Sequence, residues 1–131
     1  MNELYNGFTE IGSKYSELQL HARCTIWLHN TYPEERRMWH HNDNNSTSRR
    51  EGNKKRTLGV TKGWWDIEWI TPDGELVFIE FKVGNGVLTR EQKEFMAETL
   101  RRRPVGTFFF VEKSFETFTK LIKTKMDGRE R

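Results

Sequence analysis

Residues 63–82 read GWWDIEWITPDGELVFIEFK, and this stretch decides the fold around which the rest of the chain is arranged. Segments 64–70 and 75–83 are rich in aromatic and β-branched residues, as β-strands are. A Pro-Asp-Gly turn sequence, residues 72–74, lies between them. The pattern predicts a β-hairpin with a three-residue loop in which Gly74 adopts a positive φ.

The length of this loop decides which side chains share a face of the hairpin. With three residues in the loop, Asp66 lies directly opposite Glu80, and Lys82 lies on the same face. The other face is apolar and suited to burial, and it carries Trp65, Ile67, Trp69, Val77, Ile79, Phe81 and Val83. A two-residue loop would shift the strands by one residue and scatter charges over both faces, so the hydrophobic pattern favours the longer loop.

Two carboxylates therefore face each other on neighbouring strands. Directly opposed residues lie about 4.5–5.5 Å apart at Cβ, where like charges repel. Converging carboxylate oxygens are the ligands that Mg²⁺ or Mn²⁺ prefers. The alternative is a half-solvated sheet face on which Glu80 and Lys82 form an incidental ion pair. Spacing alone leaves both interpretations open.

Three short motifs follow one another along the chain. Residues 63–67 read GWWDI, residues 78–82 read FIEFK and residues 88–92 read LTREQ. This ordered set resembles the VRR-NUC family of the PD-(D/E)xK nuclease superfamily, with its pattern of G-x-x-D-hydrophobic, hydrophobic-E-x-K and L-(S/T)-x-x-Q. No proline precedes Asp66, and residues 110–113 read FVEK where the family name leads one to expect valine-arginine-arginine.

The resemblance implies a metal-dependent DNA endonuclease with a mixed β-sheet flanked by helices. Asp66 and Glu80 would bind Mg²⁺ or Mn²⁺, aided by the backbone carbonyl of Phe81. Lys82 would orient the attacking water or offset charge in the transition state. An acidic residue of the first helix commonly joins the metal site in such nucleases, which points to Glu17. Stand-alone relatives act as homodimers on branched DNA such as four-way (Holliday) junctions, and the same is expected here.

The segment that begins at Ser16 predicts the first helix, which ends near Asn30. Its inward stripe reads Glu17, Leu20, Cys24, Trp27 and Leu28. A carboxylate at the head of an apolar stripe is a candidate site residue. The alternative is that Glu17 is a first-turn acid favoured by the helix dipole.

Residues 89–92 read TREQ and predict a capping box at the start of a later helix. In the capping interpretation, the side chain of Gln92 bonds the backbone of Thr89. The resemblance instead implies that Gln92 points toward the site beside Lys82. Both roles stay open at this stage.

The segments at the two ends of the chain complete the prediction of one α/β domain. Residues 107–111 predict an interior strand that pairs in parallel with the hairpin, because a helix precedes it. A last helix is expected after Ser114, with residues 123–131 frayed. Residues 1–12 show no period and are expected to form a loose lead-in.

Basic residues are concentrated between positions 49 and 62, where Glu51 is the single acid. The residues expected to contact DNA phosphates are Arg49, Arg50, Lys54, Lys55, Arg56 and Lys62. The overall charge of +3 is only mildly basic and does not by itself establish a nucleic-acid partner. A helix is predicted over residues 46–57.

Before this basic segment, residues 36–41 predict a short strand. His40 and His41 lie beside Asp43 and suggest a zinc site, but neighbouring strand residues point to opposite faces. By resemblance, His40 and Asn44 are expected near the DNA. Cys24 is the only cysteine, which excludes an intrachain disulfide and a cysteine-based zinc site.

No apolar stretch approaches the length of a membrane span and no signal-like segment begins the chain, so a cytoplasmic protein without a membrane partner is expected. Two rival functions remain beside the endonuclease. One is a non-catalytic DNA-binding module of the same fold. The other is a toxin or restriction-type nuclease.

Overall fold

A computed structural model describes residues 13–42 and 48–127 of the 131-residue chain. The predicted lead-in, residues 1–12, lies outside the described residues, as do Asp43, Asn44 and positions 128–131 of the predicted frayed tail. In chain order the elements are α1 (Ser13–Thr31), a 3-10 helix (Pro33–Met38), β1 (Trp39–His41), α2 (Arg49–Thr57), β2 (Ile67–Ile70), β3 (Leu76–Phe81), α3 (Arg90–Arg102), β4 (Thr107–Glu112) and α4 (Phe115–Asp127).

The four strands form one mixed sheet in the order β1-β2-β3-β4. The β1–β2 and β2–β3 pairs are antiparallel. Strand β4 pairs in parallel with β3, as the intervening helix α3 requires. The predicted α/β architecture, a mixed sheet flanked by helices, is confirmed.

The central hairpin has the register expected from its sequence. Ile67 pairs with Ile79 and Ile70 with Leu76. The N–H of Thr71 donates to the carbonyl of Glu75 at 2.9 Å, which closes the three-residue loop. Gly74 has a φ of 83°, a conformation that residues with a Cβ rarely adopt.

One face of the sheet packs against α1 and α4. Its buried core joins side chains from the sheet and both helices: Cys24, Leu28, Trp39, Ile67, Trp69, Val77, Ile79, Phe81, Phe118, Ile122 and Met126. The predicted stripe of α1 is confirmed, since Leu20 and Trp27 pack against the same core. On the other face, Phe95 of α3 contacts Phe78 and Phe109, with ring centroids 5.2 and 6.1 Å apart.

Trp65 does not lie on the face that the strand pattern predicted. Its ring packs against Phe109 at 4.8 Å and its Nε1 donates to the carbonyl of Gln92 at 3.1 Å, so it belongs to the α3 side. Strand β2 begins only at Ile67, because residues 64–66 are irregular. Strict alternation of faces therefore does not extend back to Trp65.

The segment before β1 also departs from its prediction, since residues 36–38 belong to the 3-10 helix rather than to a strand. Pro33 begins this helix, and the buried carboxylate of Glu35 accepts a hydrogen bond from Nε1 of Trp69 at 3.0 Å. The helix is thus held against β2 by a tertiary contact that the local sequence does not reveal.

The last helix extends past the point where fraying was expected. Residues 123–127 are helical, Met126 is buried, and Nζ of Lys125 lies 3.0 Å from Oε1 of Glu75. The same ammonium lies 3.6 Å from the centre of the Phe108 ring. These contacts with the sheet hold the final turns of α4 in place.

Serine side chains cap α2 and α4. Ser48 caps α2, which begins at Arg49, by accepting from the N–H of Glu51 at 3.0 Å, whereas the predicted start at position 46 lies outside the described residues. Ser114 accepts from the N–H of Thr117 at 3.2 Å at the start of α4. Within residues 13–42 and 48–127, no helix is both long enough and apolar enough to cross a bilayer.

Candidate functional site

Asp66 and Glu80 meet at the end of the hairpin that lies away from its turn. Oδ2 of Asp66 accepts a hydrogen bond from the N–H of Phe81 at 2.9 Å. Oε1 of Glu80 accepts one from the N–H of Asp66 at 3.0 Å. Each carboxylate is therefore oriented by the backbone of the strand opposite, and the two side chains lie side by side as the register predicted.

Helix α3 fixes the second oxygen of Glu80. Nε2 of Gln92 donates to Oε2 of Glu80 at 2.8 Å, while Oε1 of the same amide accepts from the N–H of Thr89 at 2.9 Å. The capping box at Thr89 is complete. The two roles considered for Gln92 are thus both fulfilled, because the two ends of one amide group serve them separately.

Lys82 adds a positive charge next to the carboxylates. Its Nζ lies 3.4 Å from Oε2 of Glu80, and its side chain is only 12% exposed. A buried ion pair is much less screened by solvent than one on the surface. The three charged groups of the hairpin therefore act on one another strongly.

These residues line a pocket of about 330 Å³. The start of helix α1 contributes Glu17 and His21 to its wall, and the segment after β1 contributes Asn42. The ring of His21 stacks on Phe81 with centroids 4.8 Å apart and meets the ring of His41 at 4.7 Å. The pocket thus lies between the N-terminal turns of α1 and α3, at the open end of the hairpin.

Burial and the proximity of like charges raise the pKa values of the acidic residues in this pocket. Burial raises the pKa of Glu80 to about 7, and the adjacent Asp66 carboxylate adds to the rise. Burial also raises the pKa of Asp66, against the lowering effect of the Phe81 hydrogen bond. The pKa of Glu17 is raised as well, by burial more than by Asp66. A group of acids with raised pKa values is stabilised in its ionised form by a nearby cation.

The loop before β2 approaches α3 closely at Gly63. A Cβ at this position would lie 2.6 Å from the carbonyl oxygen of Glu91, and the residue has a φ of 94°. Only glycine fits there without displacing backbone. The close approach brings Trp64 to Phe95, with ring centroids 4.4 Å apart, and thereby positions the residues that lead to Asp66.

The fold of this chain resembles that of a known protein structure. No family model and no curated protein matches the chain. A solved structure described as "VRR_NUC domain protein" is similar in fold, with a TM-score of 0.59 and 18% sequence identity over 85% of this chain and 88% of that chain. The chain has a VRR_NUC-type fold. The fold expected from the three motifs is confirmed.

In this VRR_NUC-type fold, α2 presents the basic surface. Arg49, Arg50, Lys54 and Arg56 are exposed, while Nζ of Lys55 lies 3.1 Å from Oε1 of Glu51. Lys62 is exposed at the rim of the carboxylate pocket and lies 3.7 Å from Oε1 of Glu91. Exposed His40 lines a neighbouring groove of about 500 Å³ together with Lys55. Of the predicted DNA-contacting basic residues, Lys62 lines the carboxylate pocket itself, and Lys55 lines the neighbouring groove.

Two residues that line the carboxylate pocket, His21 and His41, were not predicted as site residues from the sequence. His21 stands four residues after Glu17 on the same helical face, a signal that would have found it. His41 was weighed only for zinc. Its Nδ1 donates to the carbonyl of Asp66 at 3.1 Å, and the N–H of Asn42 donates to the same oxygen at 2.8 Å.

The zinc interpretation of His40 and His41 beside Asp43 is not tested, because Asp43 lies outside the described residues. In the described part of the chain, no group of three or more His, Cys, Asp or Glu side chains is arranged to hold a metal ion. The carboxylate centre of this VRR_NUC-type fold therefore consists of the Asp66–Glu80 pair, with Glu17 in the wall of the same pocket.

Proposed function

We propose that this protein is a metal-dependent endonuclease that hydrolyses DNA phosphodiester bonds. The single observation that supports it most strongly is the pairing of Asp66 and Glu80 at one end of the sheet, with Lys82 beside them. The VRR_NUC-type fold agrees with this proposal. The fold alone does not assign an activity, so the proposal depends on the site.

The donor set fits a hard divalent cation such as Mg²⁺ or Mn²⁺. Asp66 and Glu80 offer carboxylate oxygens and the Phe81 backbone offers a carbonyl oxygen, while Glu17, which lines the pocket without being grouped with that pair, is proposed to reach the ion through water. Burial of two adjacent acids raises the pKa of each, and a cation would reverse that penalty. When bound, such a cation supplies Lewis-acid polarisation of a phosphate and lowers the pKa of a coordinated water.

Lys82 is proposed to act on the reacting groups. Its ammonium lies 3.4 Å from Oε2 of Glu80 and its side chain is 12% exposed, and a charge in such a partly buried place interacts strongly with a developing oxyanion. From that position Lys82 orients the attacking water or offsets charge in the transition state. Gln92 is a positioning residue in this scheme, because it holds Oε2 of Glu80 from helix α3. The expected products carry a 5′-phosphate and a 3′-hydroxyl.

The basic residues of α2 and the following loop are proposed to bind the DNA backbone. Phosphate contacts from exposed lysine and arginine side chains position a duplex without reading its sequence. A protein of this size offers little surface for base readout, so selectivity for DNA shape is proposed. Branched DNA such as a four-way junction is the proposed substrate. A homodimer would match its twofold symmetry, which calls for two paired cuts.

The direct test is incubation of the protein with four DNA substrates: a four-way junction, a flap, a single strand and a linear duplex. Each is tested with Mg²⁺, with Mn²⁺ and with EDTA. Cleavage of the junction that needs a divalent cation, and end-labelling that shows a 5′-phosphate, are expected. Absence of cleavage of all four substrates with either cation would refute the endonuclease proposal.

A second candidate function is a DNA-binding module of the same fold without catalysis. The observation that favours it is the internal satisfaction of the site, where three carboxylate oxygens accept hydrogen bonds from Phe81, Asp66 and Gln92. The same four-substrate experiment separates the two candidates. Tight binding of DNA without cleavage would favour the binding module.

A further inference from the structure

A third cavity, of about 350 Å³, lies between α1 and strand β1. Its apolar lining residues are Leu18, Ala22, Ile26 and Trp39, and its polar ones are Thr25, His21, His29 and His41. Sites that bind small molecules measure roughly 300–1,000 Å³ and combine apolar walls with a few polar groups. This cavity, called here the α1 pocket, has that size and composition.

The α1 pocket adjoins the carboxylate pocket. Leu18, His21 and His41 line both cavities, so the two share one wall. His21 stacks on Phe81 in that wall, and Nδ1 of His41 bonds the carbonyl of Asp66 at 3.1 Å. A group in the α1 pocket would therefore lie next to the reacting centre of the proposed nuclease.

The lining of the α1 pocket favours an apolar ring over the phosphate backbone as its occupant. None of the residues that line it in the described chain is a lysine or an arginine. Burial, followed by the effect of Arg36, lowers the pKa of His29, so that its imidazole is neutral near pH 7. A phosphate would lose its hydration there without gaining a lysine or arginine in the pocket wall, since Arg36 lies outside the lining, whereas a flat aromatic group would gain contacts with apolar side chains.

One polar atom beside the pocket lacks a partner. Nε2 of His29 is buried and has no hydrogen-bond partner among the residues that the structure describes. Buried polar atoms are nearly always paired, and an unpaired one is costly. Because His29 lines the pocket, an occupant with a polar edge, which nucleobases have and hydrocarbons lack, would offer this imidazole a hydrogen-bond partner.

We propose that the α1 pocket binds one unstacked nucleobase of the nucleic-acid strand whose phosphate lies at the Asp66–Glu80 pair. The inference rests on the proposed function, since it assigns the neighbouring nucleotide of the same substrate. A base can enter such a pocket only after leaving its stack, and the cost of this is least for a nucleotide that is already unpaired. The pocket therefore favours strands with an unpaired nucleotide beside the bond to be cut.

The test measures binding, with the full chain and with Ca²⁺ in place of Mg²⁺, by fluorescence anisotropy. The probes are a short labelled single strand and a series of the same strand in which one abasic site moves along the sequence. Gel analysis confirms that the strands stay intact. Loss of a base contact weakens such complexes, so one position should reduce the affinity on the order of tenfold when it is abasic.

Two substitutions in α1 test whether the α1 pocket itself causes the loss of affinity at one abasic position. Ala22→Phe fills the α1 pocket and should remove the position-dependent loss, so that intact and abasic strands bind alike. Asn30→Phe adds the same ring at an exposed position of α1 and should keep the loss. Ile26→Ala, which removes part of the wall, should reduce the loss several-fold and serves if Ala22→Phe does not fold by circular dichroism.

An abasic series that shows no preferred position in the wild-type protein would overturn the proposal, as would an Ala22→Phe protein that folds and keeps the preference. Either result would leave the cavity to another occupant, such as a segment of protein. These outcomes are independent of cleavage. Failure of the nuclease proposal would appear instead as intact junction DNA with Mg²⁺ and Mn²⁺.

Discussion

The N–H of Asp66 donates to Oε1 of Glu80 at 3.0 Å, so the residue that supplies one carboxylate also orients the other through its backbone. The reverse holds one residue further along β3, where the N–H of Phe81 donates to Oδ2 of Asp66. This reciprocal bonding keeps two acids side by side in a largely buried place. Burial and mutual repulsion raise the pKa of Glu80 to about 7.

Replacing either carboxylate should stop cleavage and leave binding intact. An amide is a much poorer ligand for a hard cation, so Asp66→Asn or Glu80→Gln should lower the single-turnover rate at least about 100-fold. Junction affinity should be unchanged or higher, since a negative charge near the phosphates is removed. A Glu80→Gln protein that cuts at nearly the wild-type rate would show that this strand is structural.

Lys82→Met should reduce the rate by about 10²–10³-fold while metal binding is retained, because the proposed action of the ammonium is in the transition state. Calorimetric titration with Mn²⁺ measures the metal affinity, and single-turnover cleavage measures the rate. Lys93→Met, at an exposed position of α3, is the matched control and should cleave normally. Equal loss of rate in both variants would rule out a specific role for Lys82.

Removing the positive charges of Lys54, Lys55 and Arg56 together should weaken DNA binding and flatten its salt dependence. Each phosphate contact contributes about −0.9 to the slope of log K against log salt for duplex DNA, so the slope should fall by about 2 to 3. The variant in which Lys54, Lys55 and Arg56 are all replaced by glutamine should still bind Mn²⁺ with unchanged affinity.

The control for this charge loss is a triple glutamine variant of Arg101, Arg102 and Arg103 at the end of α3. Two of these arginines are paired with Glu98 and lie away from the carboxylate pocket. It removes the same charge and should keep most of the salt slope. Equal flattening in both variants would mean that total charge, rather than the α2 surface, decides binding.

The raised pKa of Glu80 predicts a pH-dependent stability difference. The folded state binds the extra proton between the usual 4.5 and about 7, so the contribution of Glu80 to stability falls as pH rises through that window. Without a divalent cation, Glu80→Gln should therefore gain stability relative to wild type between about pH 5 and about pH 8, on the order of 2 kcal/mol.

Urea unfolding of both proteins at each pH measures this difference. The contribution of His21 to stability changes with pH in the opposite direction. Burial lowers the pKa of His21 to about 4, so this contribution rises as the pH rises. That effect is common to both proteins and cancels in the comparison. A stability difference that stays constant with pH would contradict the predicted shift at Glu80.

A homodimer is expected, because a four-way junction has twofold symmetry and needs two paired cuts. Light scattering at tens of micromolar protein, with and without junction DNA, measures the mass. Bovine serum albumin and a linear duplex of equal length serve as mass and DNA controls. A monomer under every condition would argue against paired cutting by one assembly.

Much of the candidate site was predictable because it is built from local rules. A period of two residues, together with a Pro-Asp-Gly turn, was enough to place Asp66 opposite Glu80. The capping-box spacing placed the amide of Gln92 at the start of α3. The apolar stripe of α1 indicated the helix face on which Glu17 lies.

Tertiary structure alone decided how these pieces meet. The alternation that works within β2 and β3 fails at Trp65, because a loop that packs against α3 has no fixed period. The stack of His21 on Phe81 joins residues sixty positions apart in the chain, and no local pattern encodes that distance. The α1 pocket arises in the same way, because its walls come from a helix and a strand that become neighbours only when both pack on the core.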